Sequence, residues 1–123
     1  MNIWIMRKIQ GSSHGRGDRR FLVRADAITY LSGDDDQVRA SQLGSDEFSV
    51  IADVKDGGPT APKLPDGFNV DLLFAISEAR RRAQEDNDDP HQEDRVLVAQ
   101  TWDGDWMWRE FRPSEIEPKP EPV

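Results

Sequence analysis

Carboxylates dominate the residues of this chain that could do chemistry. They bunch in two runs, Asp34-Asp35-Asp36 and Asp86-Asn87-Asp88-Asp89. A calcium loop needs its carboxylates in an alternating D-x-D-x-D-G frame, with a distal Glu that closes round one ion. Neither run keeps that frame. Both read as solvated turns, with Asp34, Asp35, Asp36, Asp86, Asp88 and Asp89 available to a cationic partner. Only two histidines occur, His14 and His91, and there is no cysteine. A tetrahedral zinc site would have to gather both imidazoles with carboxylates from distant segments. No metal and no cofactor is expected. Ser12 and Ser13 lie beside His14, but sequence neighbours on a Gly-rich loop are poorly placed for the proton transfer a nucleophilic triad needs. No G-x-S-x-G, Walker-A or G-x-G-x-x-G motif is present. The expectation is a protein that is not an enzyme.

Two further groups of residues could bind rather than react. Arg16 lies within a Gly- and Ser-rich stretch at residues 11–18, and Arg19 and Arg20 follow it; Gly-rich backbone with flanking Arg can hold a phosphate. A phosphate cradle usually opens into a helix N-terminus, whereas this loop leads towards a strand. The other group is aromatic. Asp103-Gly104 between two β-prone runs is a strong signal for a two-residue hairpin. Pairing across that turn puts Val96, Val98, Trp102, Met107 and Phe111 on one face, and Leu97, Ala99, Trp106 and Trp108 on the other. Two readings follow. Either both faces are covered and the tryptophans fill a core, or one face is open and Trp106 and Trp108 bind a partner or stack on a ligand.

These groups must be positioned by a modest set of elements. Residues 2–9 alternate Ile3, Ile5 and Ile9 against Trp4, Met6 and Lys8, the period of two of a half-buried strand. Short strands are predicted around residues 21–23, 27–31 and 38–43. Residues 48–54 predict a fifth, with Phe48, Val50, Ala52 and Val54 inward and Ile51 as the exception. Residues 56–67 contain three Pro and three Gly and predict a long loop. The spacing of Leu72, Ile76, Ala79 and Ala83 predicts a helix over 69–84, its stripe widened by Leu73 and Ala75. Asn69 is the expected cap, with Phe68 and Leu73 as a hydrophobic staple and Glu78 paired with Arg82. The fold class is therefore α+β: a mostly antiparallel sheet of five to seven strands, one packed helix and a C-terminal β-hairpin. One domain is expected over residues 1–112, followed by an extended, disordered Pro- and Glu-rich tail over 113–123.

The chain has 123 residues, a length suited to one domain, and 36% of them are hydrophobic. Mean hydropathy is −0.76, but the apolar residues fall in periodic clusters, which excludes uniform disorder. No run approaches the roughly 20 apolar residues of a membrane helix. A soluble cytoplasmic protein without membrane contact is expected. The net charge of −8 is unevenly spread. Residues 1–24 carry six basic and one acidic residue, while residues 85–123 carry four basic and twelve acidic. Segregated charge of this kind lets a fold present faces of opposite sign.

No family signature is specific enough to name. The composition instead favours a small acidic interaction protein, of regulator, inhibitor or immunity type, that binds a protein partner through its acidic and Trp-rich surfaces. A nucleic-acid mimic, with carboxylates standing in for phosphates, is one form of it. A carbohydrate or small-molecule binder stacking on the hairpin tryptophans is the first alternative. Nucleic-acid binding through Arg16, Arg19 and Arg20 is the second, opposed by the overall charge.

Overall fold

The computed structural model describes residues 2–9, 19–85 and 93–116, without the side chains of Lys8, Ile9, Arg19, Arg20 and Ile116. Among the described residues seven strands form two sheets. They are β1 (Ile3–Ile9), β2 (Arg19–Arg24), β3 (Ile28–Gly33), β4 (Gln37–Gln42), β5 (Phe48–Asp53), β6 (Arg95–Trp102) and β7 (Asp105–Phe111). The larger sheet has the order β2-β1-β6-β7 and the smaller β3-β4-β5. All neighbours are antiparallel except β1 and β6, which run parallel with Ile5 opposite Leu97. One main helix, α1 (Phe68–Glu85), accompanies the sheets. The α+β class and the C-terminal strand pair are as the sequence predicts.

The hairpin turn explains itself. Asp103 and Gly104 have φ of 53° and 85°, both in the left-handed region that a two-residue turn of this hand requires and that Asp and Gly tolerate best. Trp102 consequently pairs with Asp105, and the predicted register holds to Val96 opposite Phe111.

Alternation on β1 sends Ile3 and Ile5 into the main core, where they meet Leu97, Trp106 and Val23 from their own sheet. Val38, Ala40, Ile51 and Ala52 come from the smaller sheet, and Phe68, Leu72, Ile76 and Ala79 from α1. The helix stripe is thus buried as its spacing predicts. Met6, Val96 and Val98 are buried on the opposite face of the larger sheet, with Trp4 and Phe111 packed over them.

Several local expectations are corrected. The inward set on β5 is displaced, because the β4–β5 register shifts between Val38 and Arg39. Ile51, Ala52 and Asp53 are all buried, whereas Phe48 is 56% exposed. An irregularity of one residue exchanges the two faces of a strand. The helix starts one residue early, so Asn69 lies inside its first turn, and the Asp71 N–H donates to the Gly67 carbonyl. Leu73 is exposed and staples nothing. Arg81, not Arg82, pairs with Glu78, and it also reaches Glu85. Residues 113–116, expected in the extended tail, form one helical turn, α2 (Pro113–Ile116). Proline suits the first helical position, and the Glu115 carboxylate accepts from the Arg112 N–H in front of it. Residues 117–123 lie outside the described residues.

Polar straps hold the layers in register. Arg7 on β1 donates twice to Asp56, at 2.9 and 3.3 Å, and lies 3.6 Å from Asp53. Arg95, 3% exposed, is 3.4 Å from Glu110, which also accepts from Arg82 of the helix at 2.6 Å. The first strap ties β1 to the end of β5 and the second ties α1 to the larger sheet.

Candidate functional site

The tryptophans singled out by the hairpin point inward. Trp106 is 6% exposed, and its indole Nε1 donates to the Pro62 carbonyl at 2.7 Å. Trp108 is half-buried, donates to the Phe68 carbonyl at 3.0 Å, and stacks on the Phe68 ring at 4.9 Å. Each bond stabilises by about 1 kcal/mol and pins the ring under the helix and the long loop. Of the two readings, the core-filling one describes Trp106, whereas Trp108 is half-buried with its ring stacked on Phe68. The open face of the hairpin is the other one, where Trp102 is 63% exposed and the Arg109 guanidinium sits 5.2 Å from the ring centres of both Trp102 and Phe111. The alternation in the sequence separated these two sets but carried no signal for which of them the helix would cover.

Surface that is apolar without being core gathers instead along α1. Val70, Leu73 and Phe74 are 48%, 53% and 68% exposed. Their spacing of three and four residues puts them on one flank of the helix, where a solvated helix carries polar side chains. On the smaller sheet beside it, Tyr30 is exposed and its ring meets that of Phe48 edge-on at 5.8 Å. Between α1 and β3 runs an apolar groove of about 370 Å³, lined by Ile28, Tyr30, Leu31, Val70, Leu73 and Ile76.

An acidic depression adjoins that groove at Asn69. Asn69 lies on the groove's wall and also lines this smaller depression, formed with Gly33, Asp34, Asp35 and Asp66. The N–H groups of Asp36 and Gln37 donate to the Asp34 carboxylate at 2.8 and 2.9 Å. With Arg39 also nearby, they hold its carboxyl below the ordinary carboxylate range, so it stays ionised. Asp35 and Asp36 are exposed neighbours, and Lys63, itself exposed, lies 3.8 Å from Asp35. The first acidic run is thus a turn, as its sequence predicts, and it sits where an apolar surface ends.

A second groove, about 360 Å³, lies between α1 and β7, with Phe74, at the margin of the exposed apolar set, lining it together with Ala75, Met107 and Trp108.

Among the described residues no three His, Cys, Asp or Glu side chains converge as a metal site would require. Arg16, His14, His91, Asp86, Asp88 and Asp89 lie outside the described residues. Arg19 and Arg20 belong to β2, on the edge of the larger sheet. The structure thus places Asp34 and Asp35 in a depression that shares Asn69 with the α1/β3 groove, with Asp36 next to them in the same turn. Val70, Leu73, Phe74, Tyr30 and Phe48 are the surface residues that sequence reasoning missed. The available signal was an excess of apolar residues on α1, more than one core-facing stripe needs. No helix among the described residues is long and apolar enough to cross a membrane. No protein-family profile, curated protein or solved structure matches this chain.

Proposed function

We propose that this chain is a non-catalytic protein-interaction domain, and that the α1/β3 groove receives a partner segment carrying bulky apolar side chains followed by Lys or Arg. The observation that carries the reading is the continuity of the apolar groove with the acidic turn at Asn69. Apolar walls give a partner area to bury, at about 25 cal/mol per Å². Ionised carboxylates at one end favour a cationic residue there, fix the direction of the segment and speed its encounter. The net charge of −8 adds a long-range bias towards basic partners.

Selection of a displayed random-peptide library against the folded chain tests this. The expected peptides combine Leu, Ile, Phe or Trp with one or more basic residues. Their affinity should fall as salt rises, because the acidic end is solvated. Leu73→Glu should weaken binding roughly tenfold or more, and Asp35→Lys with Asp66→Lys should remove the salt dependence. Acidic peptides, or peptides that bind Leu73→Glu as well as the parent chain, would sink the proposal.

A further inference from the structure

Among the described residues β7 ends the larger sheet, and no strand pairs with its outer edge. Trp102 and Asp105 flank the two-residue turn as a hydrogen-bonded pair, so Asp105, Met107, Arg109 and Phe111 turn their main-chain groups towards β6. Trp106, Trp108 and Glu110 turn theirs outward. Among the described residues none of these three takes part in a main-chain hydrogen bond from a turn, loop or cap. An open strand edge is a template for another strand.

The two edges of the sheet differ in how they treat a copy of themselves. β2 carries Arg19, Arg20 and Arg24, so pairing it with its own copy confronts like charges, a common protection of edges. β7 is acidic at its start and basic towards its end, with Asp105 and Arg109 on one face and Met107 midway between them. Reversed, that pattern is its own complement.

We infer that β7 pairs antiparallel with β7 of a second copy, about a two-fold axis through Met107. In that register Asp105 faces Arg109 of the copy, and the same pair forms again across the axis. Trp106 and Trp108 exchange main-chain hydrogen bonds with the copy's Trp108 and Trp106. Met107, 41% exposed in the single chain, packs against the copy's Met107. The groove between α1 and β7 lies along this edge, lined by residues from both faces of the strand, and Phe74 on its helix wall, 68% exposed, adds apolar area beside the join. This inference stands apart from the α1/β3 groove, which the paired edge leaves open.

Sedimentation of the full chain over a range of concentrations should show a monomer–dimer equilibrium. Asp105→Arg or Arg109→Asp alone should weaken the dimer roughly tenfold or more, by setting like charges opposite each other twice. The double variant, Asp105→Arg with Arg109→Asp, should restore it. Met107→Cys introduces the only thiol in a chain without cysteine, at a pair that is not hydrogen-bonded and whose side chains are therefore close. Mild oxidation should give a covalent dimer at dilutions where the parent is monomeric. Circular dichroism matching the parent confirms that each variant is folded. A chain monomeric at all concentrations overturns the inference, even if it captures an extended peptide along β7. So does a dimer that the single charge reversals leave intact and Met107→Cys fails to trap.

Discussion

Gly57 occupies a place with no room for a side chain. A Cβ there would lie 2.8 Å from Ala61 Cβ and 2.9 Å from the Trp106 ring, both closer than atoms in contact allow. Gly57→Ala should therefore cost about 1–3 kcal/mol by forcing the loop off the indole, seen as a lowered thermal midpoint with altered Trp fluorescence. An unchanged midpoint would mean that the loop does not pack on Trp106 as described. Asp94 and Asp53 are the partly buried members of the group of carboxyls that shape the response to acid. The Asn2 N–H, opposed by burial and helped by the Trp4 indole, holds the Asp94 carboxyl below its ordinary value. At Asp53 burial pushes upward, but the Lys55 N–H, the Gln37 amide and the Arg7 charge together pull further down. Carboxyls depressed in the folded state contribute stability that is complete above their unfolded value of about 4 and is lost as pH falls below it. Denaturant midpoints should thus be flat above about pH 5 and fall steeply below about pH 4. Asp94→Asn should lower the plateau and make that fall shallower. A parallel fall in parent and variant would remove Asp94 from the account.

The helix offers the clearest contrast between neighbours in sequence. Leu72 is fully buried and Leu73 half exposed, so Leu72→Ala should cost about 3 kcal/mol and Leu73→Ala within about 0.5 kcal/mol. Equal costs measured by chemical denaturation would mean that the helix is rotated from its described position. At this scale much was legible in advance. Local rules fix the Asp103-Gly104 turn, the alternation of Ile3 and Ile5, and the stripe from Leu72 to Ala83, because each depends on residues a few positions apart. What was illegible depends on distant partners. The burial of Trp106 rests on Pro62 and Gly57, and that of Trp108 on Phe68. Leu73 reads as core by spacing alone and is exposed only because the smaller sheet does not reach over it. The parity of β5 turns on one irregular pairing with β4, which no pattern within residues 48–54 encodes. The acidic half of the candidate site was readable as a charged turn, while its apolar half was not.

Across the molecule the layers are held by few charged ties. Removing Glu110 takes one ion-pair partner from the buried Arg95, which also donates to the Glu93 carbonyl, and breaks the tie of the larger sheet to Arg82 of α1. Glu110→Ala should therefore cost about 2–3 kcal/mol, more than the loss of the exposed Arg81 pairs with Glu78 and Glu85, which should be nearly neutral. Equilibrium unfolding of the two variants makes the comparison. The parallel pairing of β1 with β6 bears on something other than stability. β1 sits between β2 and β6, and its contacts with β6 join residues about ninety positions apart, as in the bond from the Asn2 N–H to Asp94. A growing chain that has delivered β1 through α1 still lacks the neighbour that completes its first strand. Until β6 emerges, the β6 side of β1 is an unfilled edge, so the larger sheet cannot close while only β1 to α1 have been made. Such long-range closure places refolding in the range of milliseconds to seconds, and it makes β6 the strand that locks the much earlier β1 in place.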